Sequence, residues 1–130
     1  MAVPVAAQRR RARKDHRDLL AWQEAMKLVR LVYSSTVSLP KEELFGLTGQ
    51  MRRAAVSIPS NIAEGSGRGS RREFRQFLTV ARGSLSELET QVLISRDLGY
   101  LSDIASLEQA IGRLYKLIGS LVQSLEPEKT

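Results

Sequence analysis

Four stretches of this chain carry apolar residues at alternating steps of three and four, a spacing that admits little besides packed α-helices. The longest is Ile104, Leu107, Ile111, Leu114, Ile118, Leu121 and Leu125. Such steps average 3.5 residues, the repeat of a helix that buries one stripe against a neighbour. Phe74, Leu78, Ala81, Leu85, Leu88 and Val92 form a second stripe. Leu44, Leu47, Met51, Ala54 and Ile58 form a third, whose next members are Asn61 and Gly65. Leu19, Trp22, Met26, Val29 and Tyr33 form the fourth. Ala25, Leu28 and Val32 widen it, so the first helix is expected to face more than one neighbour. No segment shows the alternation of a strand bounded by turns. The spacing predicts an all-α protein, an antiparallel up-down-up-down four-helix bundle.

Caps and breakers set the expected boundaries. The first helix is expected over residues 15–38, because Leu39 precedes Pro40 and such a residue avoids the helical region. The second is expected to start at Pro40, with Glu42 and Glu43 in its first turn. It is expected to stop near Glu64, with Gly65 past its end. Ser70 and Glu73 have the spacing of a capping box for the third helix. Gly83-Ser84 in its middle suggests close packing, since glycine there costs ~1 kcal/mol relative to alanine. Residues 98–101 turn the chain, and Ser102 or Asp103 caps the fourth helix. Residues 1–14 show no stripe and are read as a flexible basic tail. Residues 15–126 make the bundle, and 127–130 a C-terminal tail.

Several functional classes fall away. There is no cysteine, so no disulfide, thiol nucleophile or thiolate metal site. The one histidine, His16, stands beside the basic tail and is read as a solvated side chain. Aromatic residues are only 5% of the chain, so the core is aliphatic. Trp22, on an apolar stripe, is read as a core anchor rather than a base-stacking platform. No apolar run approaches the ~18 residues of a membrane span, and no secretory signal is evident. No cofactor, metal or small-molecule substrate is expected, and the cytoplasm is the expected location.

Residues 57–70, Ser-Ile-Pro-Ser-Asn-Ile-Ala-Glu-Gly-Ser-Gly-Arg-Gly-Ser, break the regular pattern. Pro59 lacks the N–H that would bond the Ala55 carbonyl, so a kink is expected there. Ser57, Ser60 or Asn61 is expected to satisfy that carbonyl, and Asn61 has the alternative of bonding across helices. Glu64 is expected to hold Arg68 or a turn N–H. The glycine-rich turn lacks the preceding strand and the lysine of a phosphate loop.

Leu20-Ala21-Trp22-Gln23-Glu24-Ala25-Met26, Gln50-Met51-Arg52-Arg53-Ala54-Ala55, the run from Ser57 to Gly65, and the run from Gly83 to Thr90 carry a family resemblance. They resemble the bacterial four helix bundle proteins encoded in intervening sequences of large-subunit ribosomal RNA genes. More distantly, the chain is similar to accessory proteins of diversity-generating retroelements. The match covers roughly residues 18–122. The resemblance implies a homopentamer with a role near RNA or DNA and no enzymatic activity.

The net charge is +6, and it is clustered. Residues 1–17 hold +5, and residues 50–82 hold another +5, from seven arginines against Glu64 and Glu73. Arg52, Arg53, Arg68, Arg71, Arg72 and Arg75 are the candidate nucleic-acid-binding residues, because guanidinium forks match phosphate oxygens. The competing reading pairs them with Glu64, Glu73, Glu87 or Glu89, within or between subunits. Leu28, Val32, Leu117 and Val122 exceed what a narrow seam needs, which points to a subunit interface. The functional expectation is a non-enzymatic homo-oligomer that binds RNA, DNA or a ribonucleoprotein. The alternative is a protein–protein scaffold that touches no nucleic acid.

Overall fold

The computed structural model describes residues 15–127; the basic tail expected over 1–14 and most of the C-terminal tail lie outside them. The order is a 3-10 turn His16–Asp18, helix α1 Leu20–Thr36, a 3-10 turn Lys41–Glu43, then α2 Leu47–Gly67, α3 Arg71–Asp97 and α4 Ala105–Ser124. Among the described residues there is no strand. Helix α1 packs on α2 and α4, and α3 packs on α2 and α4, while among the described residues neither diagonal pair of helices has adjacent backbones. This ring of neighbours, joined by short turns, is the up-down-up-down bundle.

The aliphatic core is fully closed. Leu28, Met51, Ile58, Ile62, Leu78, Leu85, Leu88, Ile111, Leu114 and Ile118 are its large members. The stripes of α2, α3 and α4 point inward as the spacing predicts, save Leu44, which lies outside α2 and is exposed. The stripe of α1 does not. Its buried face is Ala21, Ala25, Leu28, Val32 and Thr36. Trp22 and Val29 only flank the core, and Tyr33 is exposed. Two apolar series interleave on α1, and the heptad count favours the one with larger residues. The small alanines of the other series let neighbouring helices approach. Leu28 and Val32 therefore belong to the core and are no sign of a subunit interface.

Helix boundaries differ from the expectation for local reasons. Asp15 caps the 3-10 turn at His16, and α1 begins only at Leu20. Pro40 opens a separate 3-10 turn, and α2 waits until Gly46 has supplied its N-cap. Glu43 serves two elements here. Its Oε1 accepts from the Leu47 N–H at 3.2 Å, and its Oε2 accepts from the Tyr100 hydroxyl at 3.2 Å. It thus ties the α1–α2 connection to the α3–α4 turn, where Gly99 has φ 79°. Ile104 is the N-cap of α4, but Asp103 does the bonding, accepting from the Ala105 N–H at 2.9 Å.

Gly65 does not stop α2; it is buried inside it. A Cβ at Gly65 would lie 2.6 Å from the Phe77 Cβ and 3.1 Å from the Phe74 ring. The residue is there so that α3 can approach α2. The left-handed turn residue is Gly69, with φ 79°. Gly83, where close packing was expected, is exposed, and a Cβ there would meet nothing within 4 Å.

Helix α2 runs unbroken through the buried Pro59. Asn61 Nδ2 donates to the Ser57 carbonyl at 2.8 Å and to Ser57 Oγ at 2.9 Å. Ser60 donates to the Val56 carbonyl at 2.8 Å. The repair thus falls on residues beside Ala55 rather than on its freed carbonyl. Ser57 Oγ also shares a 2.8 Å hydrogen bond with Ser84 Oγ on α3. The polar run therefore crosses helices and marks one α2–α3 register.

Two outcomes test this packing by urea unfolding. Gly65→Ala is expected to lose about 1–3 kcal/mol, because the added methyl forces the helices apart. Gly83→Ala is expected to gain up to about 1 kcal/mol, because it removes backbone freedom and meets no neighbour. The phenol of Tyr100 offers a third check. Burial, then the Glu43 carboxylate, pushes its pKa up. Ultraviolet titration should find it ionising above the usual ~10. Its contribution to stability is complete below that unfolded value and is lost as pH rises through the folded one.

Candidate nucleic-acid interface

The arginines of the sequence do not gather into one stripe. Arg68, Arg71, Arg72 and Arg75 stand at the α2–α3 turn. Arg52 stands at the other end of α2, where its Nε donates to Thr36 Oγ1 at 3.0 Å and its guanidinium lies 4.7 Å from the Tyr33 ring centre. That contact fastens α2 to the last turn of α1. Arg53, one residue on, is exposed, and its guanidinium folds back over Gly49.

At the turn, each arginine has a different occupation. Arg68 donates to Glu64 Oε1 at 2.9 Å and lies 5.1 Å from the Phe77 ring centre. This is the intramolecular pairing the sequence offered as the competing reading. It is exposed, and such pairs contribute roughly 0.2–1 kcal/mol. Arg71 donates to the Ser124 carbonyl at 2.8 Å, and Arg75 to the Leu125 carbonyl at 3.2 Å. Both carbonyls belong to the end of α4, whose last acceptors have no intrahelical partner. Two cations there also meet the negative end of the helix dipole. Arg72 is exposed on the first turn of α3. The Ser70 hydroxyl caps α3, accepting from the Glu73 N–H at 3.0 Å.

This arginine–carbonyl capping is absent from the sequence reading. Carboxylates are the obvious partners for arginine in a sequence, whereas the partners here are backbone atoms 53 and 50 residues away. Antiparallel topology was the available signal, since it brings the end of the fourth helix beside the start of the third. Pro59, Asn61, Glu64 and Gly65 prove to be parts of one continuous helix, and the hinge lies at Arg68–Ser70.

The start of α1 lies at this same end. Asp18, Leu19 and Leu20 line a shallow cleft with Leu117, Leu121 and Ser124. Arg17 donates to Asp15 Oδ2 at 2.9 Å. This hydrogen bond, with the Arg17 N–H, holds the Asp15 carboxyl well below the usual range. His16 is half-buried, edge-on to Trp22 at 5.3 Å, rather than fully solvated.

The charge balance changes with the fold. Residues 15–127 hold 14 Lys and Arg against 13 Asp and Glu, a net of +1. The other +5 comes from Arg9, Arg10, Arg11, Arg13 and Lys14. The block at 50–82 is thus nearly balanced by the acidic residues of the other helices. These five precede Asp15 in the sequence, and the start of α1 lies at the end that carries the arginine turn.

A second surface feature is apolar. Trp22, Met26 and Val29 of α1 and Val56, Pro59 and Ala63 of α2 line a groove of about 360 Å³, with Ser60 its polar member. Among the described residues, no helix is long and apolar enough to cross a membrane.

An antiparallel bundle of four helices with an arginine-rich turn defines a class of small all-helical proteins rather than one activity. Within that class the assignment is specific. The family model described as 23S rRNA-intervening sequence protein matches residues 17–120, and the chain belongs to that family. No curated protein matches the chain.

The capping role is measurable. Arg71→Ala and Arg75→Ala are each expected to lose roughly 0.5–1.5 kcal/mol in urea unfolding, as hydrogen-bond deletions do. Arg72→Ala is expected to stay within about 0.5 kcal/mol, as exposed substitutions do.

Proposed function

We propose that this protein is a non-enzymatic homo-oligomer, a pentamer as the family resemblance implies, that binds RNA or DNA at the α2–α3 turn end. The observation that supports this reading is the gathering of four arginines at one end of the bundle. Arg68, Arg71, Arg72 and Arg75 stand there, and the sequence carries five more cations immediately before Asp15. Arg72 has its whole guanidinium for phosphate. Arg71, Arg75 and Arg68 each keep further N–H donors, since a guanidinium has five. Arg52 and Arg53, at the far end of α2, are secondary in this reading.

The near-neutral body favours a second reading, a scaffold that binds an acidic protein. Nuclease treatment separates the two, because a nucleic-acid bridge disappears on digestion.

Fluorescence anisotropy with structured RNA and with duplex DNA across a salt series tests the proposal. Affinity is expected to fall with salt, at a log–log slope of about 0.7–0.9 per phosphate contact. Arg68→Ala combined with Arg72→Ala should reduce that slope by about one to two. Arg52→Ala should leave it unchanged. Absence of binding by the intact oligomer at about 50 mM salt would end the nucleic-acid reading.

A further inference from the structure

The chain displays an aromatic knob and an apolar groove at separate places. Phe45, in the α1–α2 connection, is 92% exposed, next to Leu44 at 50%, and Val37 at the start of the same connection is 76% exposed. This is the most exposed large apolar cluster of the described residues, and it sits on a loop where packing does not require it. The groove of about 360 Å³ begins at Trp22 in the first turns of α1. Thr36, at the end of α1, lies about 21 Å along the helix from Trp22. The knob does not fill its own groove, as its exposure shows.

The groove is a helix-paired hole. Trp22, Met26 and Val29 are the α1 stripe at the margin of the core, and Val56, Pro59 and Ala63 face it from α2. Arg52, over the Tyr33 ring one turn past Val29, sets a cation near one end of the groove, and the knob's loop is net acidic, with Glu42 and Glu43 against Lys41. Arg30 follows Met26 by four residues, and Arg52 and Arg53 precede Val56 by about one turn. Glu42 and Glu43 immediately precede the Leu44–Phe45 pair.

We propose that Phe45 of one copy of this chain seats in the α1–α2 groove of a second copy. Because knob and hole occupy different surfaces, a single contact leaves one knob and one hole of the pair unfilled. Repeated head to tail, it generates a closed ring, as the homo-oligomer reading requires, or an open chain. This rests on the homo-oligomer reading and assigns that reading its contact. Buried aromatic residues of this kind dominate interface energetics, while nearby charges direct orientation.

Multi-angle light scattering of the wild-type chain and of Phe45→Ser tests it, with circular dichroism as a control for the fold. Phe45 lies outside the core, so the variant should keep its helical signal and melting behaviour. Its self-association should weaken roughly thirtyfold or more, the scale of an aromatic hot spot. A cross-link locates the contact directly, because the chain has no native cysteine. Phe45→Cys and Ser60→Cys chains, mixed and oxidised, should give a disulfide-linked dimer containing one of each. A monomeric wild type would remove the oligomer reading and this contact together. An oligomeric wild type, with Phe45→Ser still fully assembled and no mixed disulfide, would overturn this contact alone.

Discussion

The approach of α3 to α2 over Gly65 governs most of what surrounds it. A side chain at that position would overlap Phe77, so the helices meet at a distance only glycine permits. Ala54 and Ala55 extend the same small surface along α2. The close pair brings Ser57 and Ser84 within hydrogen-bond distance, and it places Phe77 under the Arg68 guanidinium. With α3 so placed, its first turn reaches the end of α4, and Arg71 and Arg75 meet the Ser124 and Leu125 carbonyls. One missing Cβ thus sets both a register and the disposition of the arginines. Shape, rather than charge, decides where these cations point.

The family's bundle was legible because periodicity survives local irregularity. Every stripe on α3 and α4 points where its spacing says, save that Phe74, Leu121 and Leu125 lie at the margin. What spacing left open was the choice between two overlapping series on α1. Ala21, Ala25, Leu28 and Val32 have nearly the same period as Trp22, Met26, Val29 and Tyr33. Only the neighbours decide between them, and neighbours are not a property of one segment. Glycine was ambiguous for the same reason. Gly65 and Gly83 both sit in helices, yet one lies under an aromatic ring and the other faces water. Sequence signals of caps fared better than the boundaries they implied. Ser70 caps as its spacing predicts, whereas Asp103 bonds the helix from one position further out.

The candidate site was legible in residue type but not in arrangement. Clustering along the chain put six arginines in one block, and the fold divides them between two ends of α2. It also employs most of them. Arg52 fastens two helices, Arg71 and Arg75 cap a third, and Arg68 pairs with Glu64. An arginine with a structural duty still presents charge to its surroundings, but its position is no longer free to follow a ligand. A surface of this kind suits a backbone of phosphates better than a base edge, since phosphate contacts position a partner without reading its sequence.

The caps on α4 also order events in time. Ser124 and Leu125 are made late in the chain, whereas Arg71 and Arg75 emerge some fifty residues earlier. The α2–α3 hairpin closes over a short turn and has its partners as soon as α3 is made. During that interval two guanidinium groups face outward with no carbonyl to hold. The turn of a growing chain therefore carries the same charge as the finished one but holds it less firmly, and completing the last helical turn is what fixes where Arg71 and Arg75 point.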